Sequence, residues 1–319
     1  MTQELSFIFS SDEIMKCFLL RFILCFIIFV VICMIPCRVF EKKARECMDV
    51  SPYSEINYID KLNHADADMV ILGNSRAKCG YNDSILSVLV GKNCINLAIP
   101  GFSFDFQYNA MYKRYLVHNN KPQYILIDVS PLVFFERTRN SYSLETLPYV
   151  GRDDFDGYFN ICPGYKIADR IMLVKYFGKL DLVIKQLGKM EKKEEKSKRD
   201  ETMKSTKINN SLTMPLEYDT TIIRLFCDFL EECVEENVNV IILCSPMYSE
   251  SGKTCYDMDN FWRIIKYCVS GRKTVAVSYQ DLYDSDMSYF ADPMHLNSYG
   301  RDCFTMKLAH DLDSFNLLK

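Results

Sequence analysis

The sequence predicts a doubly wound α/β domain built on a central parallel sheet and preceded by one transmembrane helix. Three observations carry this expectation. A charge-free apolar stretch lies near the N-terminus, a series of short β-branched runs follows, each bounded by turn residues, and amphipathic helical patterns separate several of those runs. Strands alternating with helices point to crossover connections and a sheet covered on both faces.

The apolar stretch runs from Phe22 to Pro36, with Phe18, Leu19 and Leu20 extending it where Arg21 snorkels toward the headgroups. That is enough to span a bilayer. Apolar side chains cover every face of the segment, which argues against a core helix with one buried stripe. A cleavable signal peptide is the rival, but the run is long for one and no A-x-A-like site follows before Arg38. The expected division is a tail at 1–16, an anchor at 17–37, a polar connector at 38–67 and the α/β domain at 68–319. Lys16 and Arg21 precede the span while Arg38, Lys42, Lys43 and Arg45 follow it, which by the positive-inside rule turns the domain toward the cytoplasm. The 14 cysteines show no regular pairing pattern and lean the same way. Outside the span none forms a C-x-x-C pair, so a zinc or thioredoxin-like site finds no footing.

A chain of 319 residues that is 49% hydrophobic can bury one large core beyond the anchor. The formal charge of -4 leaves no basic face for nucleic acid, which is excluded as a partner. The expected strands are Met69 to Leu72, Cys94 to Ala98, Tyr124 to Ile127, Val238 to Cys244 and Thr274 to Val277. Ile222, Phe226, Phe229, Leu230 and Cys233 recur at helical spacing, and Asn260 to Val269 and Ser298 to Leu312 show similar patterns. The alternation breaks at about 136–215, read as an insertion that caps the site. It ends in a mixed charge run, Lys189 to Lys207, expected as a solvated helix or loop.

The first strand leads into Gly73-Asn74-Ser75, which puts a serine at the carboxyl edge of the sheet, where open α/β sheets bind ligands. Taken alone, this is equally a strand-to-helix turn with Ser75 as its cap. The second strand exits through Pro100-Gly101, where a glycine lets the backbone approach a ligand. Near the C-terminus Asp292 precedes His295 by three residues, a spacing at which a carboxylate can fold back onto the imidazole and fix its tautomer. The other three of the four histidines, His64, His118 and His310, sit in ordinary surface or core contexts.

Gly-x-Ser after the first strand, glycine after the second and Asp-x-x-His before the last helix together resemble the SGNH (GDSL-like) hydrolase superfamily. The layout is similar to its membrane-anchored branch, which includes the teichoic-acid D-alanyl transfer protein and the alginate and peptidoglycan O-acetyltransferases. The resemblance covers roughly Asp68 to Leu312 and implies a three-layer α/β/α, flavodoxin-like fold. It makes Ser75 the nucleophile, His295 the general base and Asp292 its orienting carboxylate, with the N–H groups of Ser75 and Gly101 as oxyanion donors. Two departures stand out. Gly-Asn-Ser replaces the usual Gly-Asp-Ser, and the third block, usually Gly-x-Asn-Asp, reads Ile127-Asp128-Val129-Ser130-Pro131. The asparagine donor is missing, and losing one such donor costs about 100- to 1,000-fold in rate. Gly73, Asn74 and Ser130 join Gly101 as candidate oxyanion or substrate contacts, and Arg76 is a further candidate to replace the donor.

The resemblance implies acyl transfer through an acyl-enzyme, without metal or organic cofactor, from an acyl donor to a glycan of the cell envelope. An integral membrane protein that delivers the acyl group is the implied partner, and the domain is expected outside the cytoplasm, against the charge and cysteine patterns. Hydrolysis to water and a non-catalytic glycan-binding or scaffold role remain the alternatives.

Overall fold

In the computed structural model, which describes residues 11–135, 143–162, 164–192, 202, 217–248, 257–315 and 317–318, five parallel strands form the central sheet. They are β1 (Met69–Gly73), β2 (Cys94–Asn96), β3 (Tyr124–Asp128), β4 (Asn239–Cys244) and β5 (Val275–Ser278), ordered β2-β1-β3-β4-β5. Val70 pairs with both Ile95 and Ile125, Ile125 with Val240, and Ile242 with Ala276. This is the flavodoxin-like order, whose direction of winding reverses between β1 and β3 and opens a crevice at their carboxyl ends. The strands fall within two residues of the limits expected from sequence.

The helices are α1 (Ser11–Glu46), α2 (Tyr53–Tyr58), α3 (Ser75–Gly80), α4 (Asp83–Val90), α5 (Phe104–Phe106) and α6 (Lys113–His118), the last two joined by a π-helical turn at Gln107–Tyr112. They continue with α7 (Asp156–Phe159), α8 (Met172–Lys175), α9 (Leu180–Lys192), α10 (Thr220–Glu235), α11 (Met258–Val269) and α12 (Ser298–Ser314). Successive strand residues point to opposite faces, so each central strand feeds two cores. Val70, Leu72, Ile125, Ile127, Val240 and Ile242 meet Phe104, Tyr115, Phe226 and Phe261 in one core. Met69, Ile71, Tyr124, Leu126 and Leu243 meet Leu86, Phe304 and Leu308 in the other. Burial on both faces is why these strands read as unbroken apolar runs.

The apolar part of α1 has an 18-residue window with mean hydropathy 3.1, none of it buried, so by length and composition it can cross a membrane. The same helix then enters the domain without a break. Cys37, Phe40 and Ala44 lie in the first core, and Phe40 packs edge-on against Tyr53 and Tyr176. The segment 38–67, expected as a polar connector, is therefore folded, with Val50, Tyr53, Ile56, Ile59 and Leu62 in that core as well. The charged residues between them make the segment polar on average, while these apolar residues supply the packing.

Of the interval 136–215, residues 136–142, 163, 193–201 and 203–216 lie outside the described residues, and so does most of the expected charge run. The remainder forms short helical turns and α7 to α9, which pack on α1 and on the π-helical turn.

Candidate active site

β1 ends at Gly73, where the chain turns sharply into α3. A Cβ at Gly73 would sit 2.5 Å from the Cβ of Ala77 and 3.1 Å from the Asp128 carbonyl oxygen, and φ is +152°, so the turn requires glycine. Asn74 caps the helix: its Oδ1 accepts from Arg76 N–H at 3.0 Å, and its Nδ2 donates to Ser130 Oγ at 3.0 Å. Ser75 follows as the first residue of α3, partly exposed, while Gly73, Asn74, Arg76 and Ala77 around it are buried.

Asp292 and His295 come from a different structure, a short antiparallel ribbon of β6 (Phe290–Asp292) and β7 (His295–Leu296) in which they face each other. Asp292 Oδ1 accepts from the N–H groups of Met294 at 2.9 Å and His295 at 3.1 Å. The His295 Nδ1 lies 2.9 and 2.8 Å from the two carboxylate oxygens. The ribbon is clamped to the start of α12 by Asn297, whose Oδ1 accepts from Gly300 N–H at 2.8 Å and whose Nδ2 donates to the Ser288 carbonyl at 2.7 Å. Gly300 makes the close approach possible, since a Cβ there would sit 2.1 Å from the Tyr289 carbonyl oxygen. Tyr248 N–H, in the loop after β4, donates to the Pro293 carbonyl at 3.1 Å and holds the tip of the ribbon.

The two halves meet through His295 Nε2, which lies 2.8 Å from Ser75 Oγ. Burial alone would raise the Asp292 carboxyl, but the bonds from the His295 ring and the two backbone N–H groups outweigh it and hold the group below the usual carboxylate range. Asp292 is therefore ionised at neutral pH and can only accept. Nδ1 must then carry the ring proton, and Nε2 is left to accept from the Ser75 hydroxyl. Ser75 Oγ, the His295 ring and the Asp292 carboxylate thus form one continuous hydrogen-bonded chain, with the ring in the tautomer that lets Nε2 accept.

The remaining candidates are placed unequally. Ile99 N–H donates to the Gly73 carbonyl at 3.0 Å, so the chain leaving β2 runs alongside the end of β1 just before the Pro100-Gly101 turn. Gly101 is exposed with φ +81°, a backbone that glycine adopts without strain. Ser130 is fully buried and reaches the site through Asn74. Arg76 is also buried, and its Nη2 donates to the Ser245 carbonyl and, at 3.0 Å, to Ser245 Oγ.

Sequence reading missed what surrounds Arg76. Asp128, 1% exposed at the end of β3, accepts from Ser245 N–H at 3.1 Å. Burial pushes its carboxyl up, partly offset by the Arg76 guanidinium and the Ser245 bonds. The Tyr81 hydroxyl lies beside that carboxyl, and burial followed by the Asp128 charge pushes it well above the usual tyrosine range. Among the described residues neither Asp128 Oδ2 nor the Tyr81 hydroxyl closes a bond of ordinary geometry, and the Arg76 Nε and Nη1 meet no hydrogen-bond acceptor. A charged polar cluster thus underlies the nucleophile turn. One signal pointed to it: Asp128 ends an otherwise apolar strand, and Arg76 immediately follows the serine.

Among the described residues no group of three His, Cys, Asp or Glu side chains could hold a metal ion. A groove of about 640 Å³ between α10 and α11 is lined by Arg224, Asp228, Glu231 and Arg272 and by none of Ser75, Asp292 or His295.

No protein-family model matches this chain, and no curated protein matches it. Among solved structures, a candidate acylhydrolase from Bacteroides fragilis is similar at 11% identity and a TM-score of 0.42, over 83% of this chain and 97% of that one.

Proposed function

We propose that the chain is a membrane-anchored serine acyltransferase of SGNH type acting on a cell-envelope glycan. The single observation that supports it most is the continuous hydrogen-bonded chain from Ser75 Oγ through His295 to Asp292. The strand order and the two carrier segments, one after β1 and one before the last helix, agree with that reading.

In this reading Ser75 Oγ attacks the carbonyl carbon of an ester or thioester as His295 Nε2 takes its proton. Asp292 stabilises the imidazolium, and the Ser75 N–H and the neighbouring Gly101 turn flank the developing oxyanion. The tetrahedral intermediate collapses as His295 returns the proton to the leaving alcohol or thiol, leaving an acyl ester on Ser75. His295 then deprotonates an acceptor hydroxyl, which attacks that ester and releases the acylated product and free Ser75. Asn74 and Ser130 brace the turn instead of contacting the substrate.

One observation favours water as the acceptor. The side chains of His295 and Asp292 are 28% and 52% exposed, so solvent reaches the base in the resting molecule. Hydrolysis is the second reading, and a glycan acceptor must exclude that water when it binds.

The anchor is supported by the burial of Cys37, Phe40 and Ala44, because a helix that ends inside the domain core is not a dispensable leader. A glycan acceptor in the envelope requires the domain to lie outside the cytoplasm, and this reading takes an acyl-delivering membrane protein as the partner. A fluorophosphonate probe tests the enzyme reading: wild type should label, and Ser75→Ala should not. Folded wild-type protein that resists the probe, with full biological function in Ser75→Ala, would leave a binding or scaffold role instead. Product analysis with a glycan acceptor present separates transfer from hydrolysis.

A further inference from the structure

α8 is built inside out. Its one cation, Lys175, is 3% exposed and turned inward, where its Nζ pairs with Glu41 of α1 and donates to the Val150 carbonyl at 3.4 Å. Its apolar residues Leu173 and Val174 are each 44% exposed instead. The neighbouring turns repeat the pattern, with Ile167 81%, Ile171 59% and Phe177 83% exposed. Five large apolar side chains thus face outward between Ile167 and Phe177, while Met172 and Tyr176 pack inward. A surface meant for water is not made this way, because a lysine needs solvent far more than leucine, valine or phenylalanine do.

The height of this patch along α1 identifies what covers it. The apolar run of α1 ends at Pro36, and the Glu41 that holds Lys175 comes five residues later, about 7.5 Å along the helix axis at 1.5 Å per residue. The headgroup layer on each side of a bilayer is about 5–8 Å thick. Lys175 therefore ties α8 to α1 at headgroup depth, within reach of the acyl boundary for the outward Leu173 and Val174 of α8 and the flanking Ile171 and Phe177. Arg38 and Lys42, about 3 and 9 Å past Pro36 along the axis, line a groove of about 440 Å³ with Glu41, Arg45, Glu46 and Met172.

We propose that the segment Ile167–Phe177 is a monotopic membrane-docking platform, inserted into the interface of the same bilayer that α1 crosses. It rests on the reading of α1 as an anchor. Two attachments, one spanning and one interfacial, fix the tilt of the domain, which a single helix leaves free to rotate about its own axis. The site at Ser75 is then held at a set height above the membrane and does not sample all orientations.

The test uses the full chain in nanodiscs that contain phospholipids brominated either near the glycerol end or near the methyl end of the acyl chains. The one native tryptophan, Trp262 on α11, gives the baseline emission. Phe177→Trp should add a blue-shifted component that bromines near the glycerol end quench most strongly. Phe26→Trp, within the apolar run, should add one quenched by deep bromines, and Tyr267→Trp, 73% exposed on α11, should add one that neither lipid quenches. Quenching at Phe26→Trp with none at Phe177→Trp overturns the platform and leaves the anchor standing. An absence of quenching at both overturns the anchor, and the platform with it.

Discussion

The two halves of the candidate triad are built in opposite ways. Asp292 and His295 stand on a short ribbon, half-exposed, positioned by contacts three residues apart and by the cap of the next helix. Ser75 stands over a buried polar cluster assembled from three strand ends far apart in sequence, at Arg76, Asp128 and Ser245. The base half is local and tolerant of water; the nucleophile half is long-range and depends on excluding it. Local geometry can be encoded in a tetrapeptide, whereas a buried charged cluster holds only when every strand is in register.

Substitutions should separate the halves, the chemical groups giving the largest effects. Ser75→Ala and His295→Ala should each lower turnover on the order of 10⁶-fold, and the double variant hardly more, because the residues act as one unit. Steady-state kinetics on an ester substrate would read this, and additive losses would break the triad assignment. Asp292→Asn should cost about 10⁴-fold by favouring the wrong tautomer. Because the Asp292 carboxyl is held below its usual range, its contribution is complete at neutral pH and is lost only as pH falls through that lowered value.

Perturbing the buried half should appear first in stability. Arg76→Met leaves Asp128 without its cationic neighbour and should destabilise by about 3 kcal/mol in urea titration. Adding Asp128→Asn should recover part of that loss; simple additivity would show that the two groups do not interact. Asn297→Ala, on the exposed half, should cost only about 1 kcal/mol of stability, from the lost cap, yet slow probe labelling of Ser75 by loosening the ribbon. An unchanged labelling rate would mean that the ribbon keeps its place without the clamp.

The smallest expected effect is a pH slope. The folded Asp128 carboxyl titrates above its unfolded value of about 3.9, so the native state holds the proton longer. Wild-type stability should therefore fall as pH rises from the unfolded value through the raised one, and Asp128→Asn should flatten that fall. A parallel profile for the variant would remove the burial penalty from the account of this cluster.

Much of this was legible in sequence, for identifiable reasons. Val70 to Leu72 and Ile125 to Ile127 announce strands because both faces of the sheet are buried, so every residue must be apolar. Asp292 and His295 could be paired because three residues of ribbon suffice to join them. Residues 38–67 read as a polar connector but are folded, because Phe40 packs against Tyr176, 136 positions away, as well as against Tyr53, and Ile56 joins the same core. The burial of Ser130 and the bond it accepts from Asn74 Nδ2 could not be read from its place after the third strand, because both depend on which segments meet there.

By itself the sequence determined the alternation of strands and helices, the apolar length of α1 and the identities of Ser75, Asp292 and His295, since each is a property of local pattern. Only the tertiary structure decided that Ser75 and His295 meet at 2.8 Å, that Arg76 and Asp128 lie buried beneath them, and that Lys175 turns inward while Phe177 turns out. Those facts depend on which distant segments share a neighbourhood. Burial is a property of the assembled chain: the same lysine or aspartate is solvated or desolvated according to what folds over it.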